Sequence, residues 1–409
     1  MKIWIKYVLA SILGSLAAFL LPLNVSSVQK TIDFLTEMSI RFGRYMLVPL
    51  LFFSMALAIY KLRNKGKLFK TAVYVAAVSL ITSFALVFLG ILATLLVKLP
   101  RIPISVEKMT NSASLDIPTR LLDIFPITSF SVFLDGNFLL PLLVLAGFIG
   151  AGCASDTNAS KLTVNLFDSL SKVFFAVMSF FVDMFAFGMI FITCTWTILF
   201  KDLLRSGVFT PLILLLAGEF ILIAFILYPL VLKFVFKEKT PYRVLYASTA
   251  SLITAFFSGD INLSLGVAIK HLKESLGLKR RIAAVTAPVF SVFARGGTAL
   301  VTATAFIVIL RSYSGLIIPF GEIIWIGFIS FLISFFLGGI PIGGAFLSLT
   351  ILCSFYGRGF DAAYLLLKPM AFVLGSFATA IDTSTMMFGS YFVGSRLKMN
   401  EHRELKKYI

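Results

Sequence analysis

The sequence predicts an all-α membrane protein that crosses the bilayer several times. Of its 409 residues, 59% are hydrophobic and only 13% are charged, whereas soluble globular chains carry about 25% charged and roughly 45–50% apolar residues. The mean hydropathy is +0.99, and at about 20 residues per crossing the apolar content suffices for eight or more membrane helices. These values exclude an ordinary soluble enzyme, a disordered protein and a secreted scaffold held by disulfides.

Unbroken apolar segments fill the first half of the chain. The first lies at about 5–23; a signal peptide would have a shorter apolar core and a small-residue cleavage site, so we expect a retained helix. The further segments lie at about 40–60, 70–98, 122–152, 166–200 and 209–236. Each is long enough to form a helix that crosses the bilayer.

Glycine and proline interrupt the apolar segments of the second half. The stretch 322–355 contains four glycines and a proline within 338–344, too many for one continuous helix. The stretch 245–310 is broken at Gly259, Asp260, Gly266, Gly277, Pro288, Gly296 and Gly297. A last apolar run covers about 362–394. Such interruptions point to a substrate site in transporters, although glycines also allow close helix packing. We therefore expect a scaffold followed by a transport domain.

The net charge of +17 orients the chain in the membrane. Basic residues cluster at the N-terminus, in 61–70, in 233–243, in 270–281 and in the tail from Arg396. The positive-inside rule assigns these clusters, and both termini, to the cytoplasm. Because basic clusters flank 245–270 on both sides and roughly 25 residues are too few for two crossings, this stretch is predicted to be a re-entrant hairpin. The expected location is the cell (inner or plasma) membrane.

The sequence shows no catalytic or metal-binding pattern. Cys153, Cys194 and Cys353 are far apart, without the Cys/His spacing of a zinc site. His271 and His402 both lie in basic stretches. We find no Ser/His/Asp set and no phosphate-binding loop, so we expect no cofactor, no metal and no enzymatic activity. The positive charge is explained by topology and does not indicate a nucleic-acid partner.

Short motifs occur in a characteristic order along nearly the whole chain. They are Ile81-Thr82-Ser83-Phe84, Ile124-Phe125-Pro126 with Asp135-Gly136-Asn137, Leu276-Gly277, Arg281-Ile282, Pro288, Gly297-Thr298-Ala299-Leu300 and Gly339-Ile340-Pro341-Ile342-Gly343-Gly344-Ala345. Each is weak alone, but their order and spacing together resemble the dicarboxylate/amino acid:cation symporter family, the glutamate transporter homologues.

The resemblance implies a glutamate-transporter-like fold with eight transmembrane helices and two re-entrant helical hairpins, assembled as a homotrimer. It implies scaffold helices 1–2 in 1–69, transport-domain helix 3 in 70–98, scaffold helices 4–5 in 99–208 and the transport-domain core in 209–409. The core would comprise helix 6, hairpin 1 at about 245–275 with its tip near Ser258–Asn262, helix 7 unwound near Arg295–Thr298, hairpin 2 at about 322–356, and helix 8. The transport domain would carry its substrate across the membrane like an elevator.

The chain departs from the family pattern at the ion and substrate sites. The family's Asn-Met-Asp-Gly-Thr motif matches Ala294-Arg295-Gly296-Gly297-Thr298, so the Asn and Asp that bind sodium there are absent. The matching part of helix 8, Ile381–Tyr391, contains Asp382 but lacks the Arg that clamps an acidic side chain and the Asn and Asp that follow it. The serine-rich tip of hairpin 1 is replaced by Ser258-Gly259-Asp260-Ile261-Asn262.

Three ionisable residues, Asp260, Arg295 and Asp382, are therefore expected where this fold binds its ligand. Charge within a membrane is costly and is usually paired or functional. The permanently protonated guanidinium of Arg295 can replace a sodium ion, pairing with either aspartate or using the hydroxyls of Thr82 and Ser83. Alternatively, Arg295 forms a purely structural ion pair. We predict transport that is not coupled to sodium at the usual sites.

The altered residues also bear on the substrate. A buried carboxylate needs a charge-assisted partner, and Asp382 would repel an acidic side chain, which argues against glutamate and aspartate; Arg295 could still hold a carboxylate from another direction. A neutral amino acid or a vitamin-like heterocycle suits the polar and aromatic lining. The predicted substrate-binding residues are Asp260, Asn262, Arg295, Gly297, Thr298, Ile340, Pro341, Ile342, Gly343, Asp382, Ser384, Thr385 and Phe388. The predicted gate is Gly338, Gly339, Pro341, Gly343 and Gly344, and the relic of a cation site is Thr82, Ser83 and Arg295.

Two other functions are compatible with the sequence. One is a sodium- or proton-coupled amino acid or dicarboxylate symporter, with Asp260, Asp382 or Glu219 available to carry a proton. The other is an anion-conducting channel on the same fold. Saturable, stereoselective counterflow would indicate a carrier, and large unitary currents would indicate a channel.

Overall fold

A computed structural model describes residues 2–22, 26–97, 99–103, 122–134, 139–314, 318–337, 344–401, 403 and 408. In these residues the chain is almost entirely helical. Seven helical segments among them are long and apolar enough to cross a membrane. The predicted class, an all-α protein with several membrane crossings, is confirmed.

The helices of the first half are numbered in chain order. In the described residues they are α1 (Ile3–Leu20), α2 (Ser26–Arg44), α3 (Leu47–Asn64), α4 (Leu68–Leu96), α5 (Leu140–Ser155) and α6 (Lys161–Ser206). A short 3-10 turn spans Ser131–Phe133. The longest of these helices, α6, has 46 residues and is therefore about 69 Å long at 1.5 Å per residue.

The second half contains shorter helices and more breaks. Its described helices are α7 (Thr210–Ile221), a π-helical segment (Leu222–Leu227), α8 (Tyr228–Val235), α9 (Arg243–Ser258), α10 (Ile261–Glu274), α11 (Arg280–Phe293), α12 (Gly296–Ser314), α13 (Phe320–Phe336), α14 (Gly344–Tyr356), a 3-10 segment (Ala363–Met370) and α15 (Ala371–Arg396). Because α7, the π segment and α8 follow one another directly, they form one membrane-spanning unit.

The helices pack as two groups. In the first, α1, α2 and α3 lie against α6, and α3 also packs along α5. In the second, α9, α11 and α12 surround α15, while α4 packs along α12. Every residue of α15 from Val373 to Gly394 is buried, so this helix is the centre of the second group. Its hydroxyl-bearing residues must therefore find partners on the neighbouring helices.

Two pairs of short helices form the hairpins. The first pair, α9 and α10, turns at Gly259, whose φ of +62° is the left-handed conformation that glycine adopts without strain. The carboxylate of Asp260 then caps α10, because it accepts a hydrogen bond from the Asn262 N–H at 2.9 Å. The second pair, α13 and α14, also packs together, and residues 338–343 between them lie outside the described residues.

Two predicted segments differ in extent from the observed helices. The segment predicted at 40–60 belongs to a helical stretch that begins at Ser26. Its first part, α2, is amphipathic and contains many polar residues, so it does not stand out as an apolar run in the sequence. The segment predicted at 122–152 enters α5 only at Leu140. With 16 residues, α5 is shorter than the roughly 20 that a crossing requires, and it is not one of the seven long spans.

Candidate substrate site

A break between α11 and α12 forms the centre of the candidate site. Helix α11 ends at Phe293 and α12 begins at Gly296, so Ala294 and Arg295 form the break between the two helices. Arg295 is only 2% exposed and is among the largest fully buried side chains. A guanidinium at this depth requires an anionic partner, because an uncompensated buried charge is strongly destabilising.

That partner is Asp382 on α15, whose carboxylate also caps α12. The carboxylate accepts hydrogen bonds from the backbone N–H groups of Gly297 at 2.7 Å and Thr298 at 3.3 Å, and from the Thr298 hydroxyl at 2.6 Å. The Nε atom of Arg295 lies 3.7 Å from Oδ2 of Asp382. Since helix N-termini carry free N–H donors and the positive end of the dipole, Asp382 is held by both the helix and the guanidinium.

The second predicted aspartate, Asp260, has a different partner. Its carboxylate accepts a hydrogen bond from Arg44 Nε at 2.7 Å and also pairs with Arg44 Nη2. The Asp260 side chain is 1% exposed and that of Arg44 is 20% exposed. The sequence left Asp260 and Asp382 as possible partners for Arg295. The structure pairs Arg295 with Asp382, whereas Asp260 connects the tip of hairpin 1 to α2.

Hairpin 2 approaches the guanidinium at the first residue of α14. A Cβ atom added at Gly344 would lie 3.2 Å from Nη2 of Arg295, so the backbone of hairpin 2 lies directly against the candidate site. The remaining predictions for this hairpin fall outside the described residues; they are Gly338, Gly339, Ile340, Pro341, Ile342 and Gly343.

Asn262, near the tip of hairpin 1, is buried and starts α10 beside the Asp260 cap. One turn further on, Ser264 lies 3.1 Å from the Thr383 hydroxyl of α15. The residue after Asp382 therefore faces hairpin 1 instead of α12. Hairpin 1 and the Arg295–Asp382 pair thus contact adjacent faces of one helix.

The predicted residues further along α15 face another helix. The Thr385 hydroxyl lies 2.6 Å from the Tyr228 hydroxyl of α8, and the ring of Phe388 stacks on that of Tyr228 with centroids 4.8 Å apart. The Ser384 hydroxyl is buried and, within the described residues, has no hydrogen-bond partner. The structure therefore brings Arg295, Gly297, Thr298 and Asp382 together, and places Thr385 and Phe388 against α8.

Thr82 and Ser83, the two hydroxyl residues of the predicted cation-site relic, face different neighbours of α4, since the side chains of consecutive helical residues point about 100° apart. Ser83 lies against the start of α12, because a Cβ at Gly296 would be 2.7 Å from its Cα. Its buried hydroxyl has no partner in the described part of the chain. The Thr82 hydroxyl instead donates to the Val78 carbonyl at 2.6 Å and lines an apolar cavity between α4, α8 and α15.

Sequence reasoning missed four residues that hold the neighbourhood of the site. They are Arg44, Ser264 and Tyr228, described above, and Trp196 of α6, whose indole N–H donates to the Ser376 hydroxyl of α15 at 2.8 Å. Each contacts a partner more than 100 residues away in the chain. An arginine at the end of an amphipathic helix is the one signal that could have drawn attention to Arg44.

The chain belongs to the sodium:dicarboxylate symporter family, whose model matches residues 3–395. It is 26% identical over 208 residues to the neutral amino acid transporter B(0) of Rattus norvegicus, an alignment covering 50% of this chain and 37% of the relative. It is 25% identical over 224 residues to the excitatory amino acid transporter 2 of Homo sapiens, covering 54% of this chain and 38% of the relative. The alignments thus span less than two-fifths of these relatives. The family is one of membrane transporters and not of enzymes, so the resemblance found in the motifs is confirmed.

Proposed function

We propose that the protein is an elevator-type secondary transporter of a small neutral solute, such as a neutral amino acid or a vitamin-like heterocycle, without sodium coupling at the family's usual sites. The observation that carries this proposal is the buried Arg295–Asp382 pair at the break between α11 and α12. The resemblance to the family implies that this position corresponds to its cation and substrate sites.

The pair favours a neutral solute for electrostatic reasons. One positive and one negative charge cancel at the centre of the site, and Asp382 already accepts three hydrogen bonds from α12. A dicarboxylate would bring uncompensated charge to this point, which is costly in a buried environment. The resemblance to a transporter named for neutral amino acids agrees with this inference.

The same pair supports transport without bound sodium. A fixed guanidinium supplies the positive charge at all working pH values, so Asp382 does not need a cation to be neutralised. The family description and the human relative favour the second candidate, a sodium-coupled symporter of an acidic amino acid or dicarboxylate. For that candidate Arg295 would hold the substrate carboxylate.

The proposed mechanism moves the α15-centred group of helices past the α6-centred group, with hairpin 1 and hairpin 2 as its two ends. Its support is the character of the boundary between the groups, which contains specific polar contacts such as Arg44–Asp260 and Lys270–Asp183. We further propose the homotrimer of the parent fold and a location in the cell membrane with cytoplasmic termini.

Thermal unfolding of the purified full-length protein tests the substrate class and the coupling ion together. Neutral amino acids, nitrogen heterocycles, aspartate and succinate are added in sodium chloride or in choline chloride. A ligand at about 100 times its Kd stabilises the folded state by about 2.7 kcal/mol. We expect stabilisation by a neutral compound that is equal in both salts, followed by counterflow of that compound in liposomes. Stabilisation by aspartate or succinate that requires sodium would contradict the proposal and favour the symporter.

A further inference from the structure

A buried carboxyl outside the candidate site stands in the middle of the α7–α8 unit. Glu219 lies nine residues after the start of α7, about 14 Å along the helix axis, and is 2% exposed. This depth is within the hydrocarbon core of the bilayer, where an ionised side chain is costly and usually marks a functional site.

The hydrogen bonding of Glu219 is incomplete. Its Oε1 accepts one long hydrogen bond, from the Thr304 hydroxyl of α12 at 3.5 Å. Its Oε2 is buried and has no hydrogen-bond partner within the described residues. No lysine or arginine in that part of the chain forms an ion pair with it. A carboxylate in this setting would bear an uncompensated charge, whereas a carboxylic acid would not.

The ionisable groups on the surrounding helices leave this carboxyl without a counter-charge. Helix α15 contributes Asp382, paired with Arg295, and also Tyr391 and Arg396, whose guanidinium lies over the ring of Phe236. Helix α12 contributes Tyr313, packed on Phe360, and Arg311, which is directed to the backbone carbonyls of Thr94 and Val97. Helix α4 contributes Lys70 and Tyr74 near its start. Helix α8 contributes Tyr228, which is engaged with Thr385, and Lys233, which lies over the ring of Phe234.

A line of polar groups connects Glu219 to the end of α4. Thr304 donates to Glu219. The Thr94 hydroxyl, which donates to the Gly90 carbonyl at 2.6 Å, lies 3.2 Å from the Thr304 hydroxyl. Arg311 donates to the backbone carbonyl of Thr94 at 2.7 Å. Thr94 and Thr304 are fully buried. The two hydroxyls therefore extend the polar surroundings of Glu219 toward α4, whereas Arg311 meets Thr94 only at its backbone carbonyl.

The backbone next to Glu219 is also irregular. The π-helical segment Leu222–Leu227 begins three residues after it, and π segments within helices frequently mark functional sites. Three side-chain oxygen groups meet here, from Glu219, Thr304 and Thr94, and among the described residues no set of three metal-ligating side chains is gathered. A proton satisfies this environment, whereas a metal cation would need a fuller shell of oxygens.

We infer that Glu219 is the proton-binding site of the transport cycle, an inference that rests on the proposed transport function. A proton binds Oε2, the oxygen that has no hydrogen-bond partner within the described residues, and the carboxylate becomes a neutral carboxylic acid. It leaves again when the contact between α7 and α12 changes. An inward proton gradient then drives accumulation of the solute, in place of sodium.

Infrared difference spectroscopy detects the proton without a substrate. The full-length protein in lipid is titrated with acid and base, and the C=O stretch of a protonated carboxylic acid is followed in wild type, Glu219→Gln and Thr304→Val. We expect an acid band at neutral pH in wild type that is absent in Glu219→Gln and shifted in frequency in Thr304→Val. Glu37→Gln, which removes an exposed carboxyl paired with Arg41, should leave the band unchanged.

The same variants distinguish the proton from other causes. Exchanging sodium for choline should not move the titration, and a sodium-dependent shift would overturn the inference in favour of a cation site. An unchanged acid band in Glu219→Gln, or an unshifted band in Thr304→Val if the first variant does not fold, would also overturn it. With the solute found by thermal screening, a proton gradient should raise accumulation in wild type but not in Glu219→Gln. If the thermal-unfolding screen finds no neutral solute while the infrared titration gives the expected bands, the proposed substrate class is contradicted and the assignment of the proton to Glu219 is supported.

Discussion

Gly297 shows how closely α12 approaches α15 at the candidate site. A Cβ atom at this position would lie 2.6 Å from the Ala378 carbonyl oxygen, 2.6 Å from the Ile381 Cβ and 2.9 Å from the Asp382 carboxylate. The Ala378 oxygen is a main-chain atom and the Ile381 Cβ is bonded directly to the main chain, so neither can rotate away. The Gly297 N–H reaches Asp382 at 2.7 Å only because the backbones come this close.

At the residue scale, Gly297→Ala should destabilise the protein by about 1–3 kcal/mol, the usual cost of forcing an extra carbon into a packed site. Thermal unfolding in detergent measures the change, and binding of the identified solute should weaken as well. Gly152→Ala is the matched control, since a Cβ there meets nothing within 4 Å and alanine is the better helix former. Equal melting temperatures for Gly297→Ala and wild type would contradict the described packing.

Hairpin 1 depends on an ion pair whose partners are 216 residues apart in the chain. Asp260 serves both as the N-cap of α10 and as the anion for Arg44 of α2. Removing the arginine would leave a carboxylate at 1% exposure without its counter-charge.

At the element scale, Arg44→Gln should cost about 1–3 kcal/mol, less than a fully buried pair because part of the arginine is exposed. The double variant Arg44→Gln with Asp260→Asn should recover part of that loss, and a double-mutant cycle gives the coupling energy. Arg41→Gln, three residues earlier on α2, breaks an exposed pair with Glu37 and should cost little. A coupling energy near zero for Arg44 and Asp260 would show that the pair does not hold the hairpin.

Much of this architecture was readable from local sequence. Apolar runs predict the long helices, and the glycine between Ser258 and Asp260 predicts the hairpin turn because its conformation is set locally. The sequence indicated two aspartates as possible partners of Arg295 but could not distinguish between them. Both are distant from Arg295 in the chain, and only the packing of α12 on α15 selects Asp382. For the same reason Thr82 and Ser83 were treated as one unit, although a helix directs them to different neighbours.

At the scale of the whole molecule, the proposed elevator motion requires α10 to move past α6. A Cβ at Gly266 would overlap Cε of Met178 and lie 3.9 Å from its Cγ, so the two helices touch here. A Met178→Cys/Gly266→Cys protein, with Cys153, Cys194 and Cys353 replaced by alanine, should cross-link on oxidation. We expect cross-linking to abolish uptake and a reducing agent to restore it.

Each single cysteine variant serves as the control for oxidation without a cross-link. Undiminished uptake by fully cross-linked protein would contradict relative motion of the two helix groups. Lys270 and Asp183, which pair at 2.9 Å across the same boundary, would have to separate in the same step.

The length of α6 has a consequence for the surrounding membrane. Between Lys172 and Lys201 it contains 28 residues with Asp183 as their one charged member, about 42 Å of helix against a hydrocarbon thickness of about 30 Å. Burying this length requires α6 to tilt or bend, or the bilayer to thicken locally. A thicker bilayer favours a more upright helix, and α6 carries Met178, Asp183 and Trp196, which contact hairpin 1 and α15. We therefore expect hydrophobic mismatch to act on the boundary along which the proposed elevator motion takes place, and the rate of transport to depend on acyl-chain length.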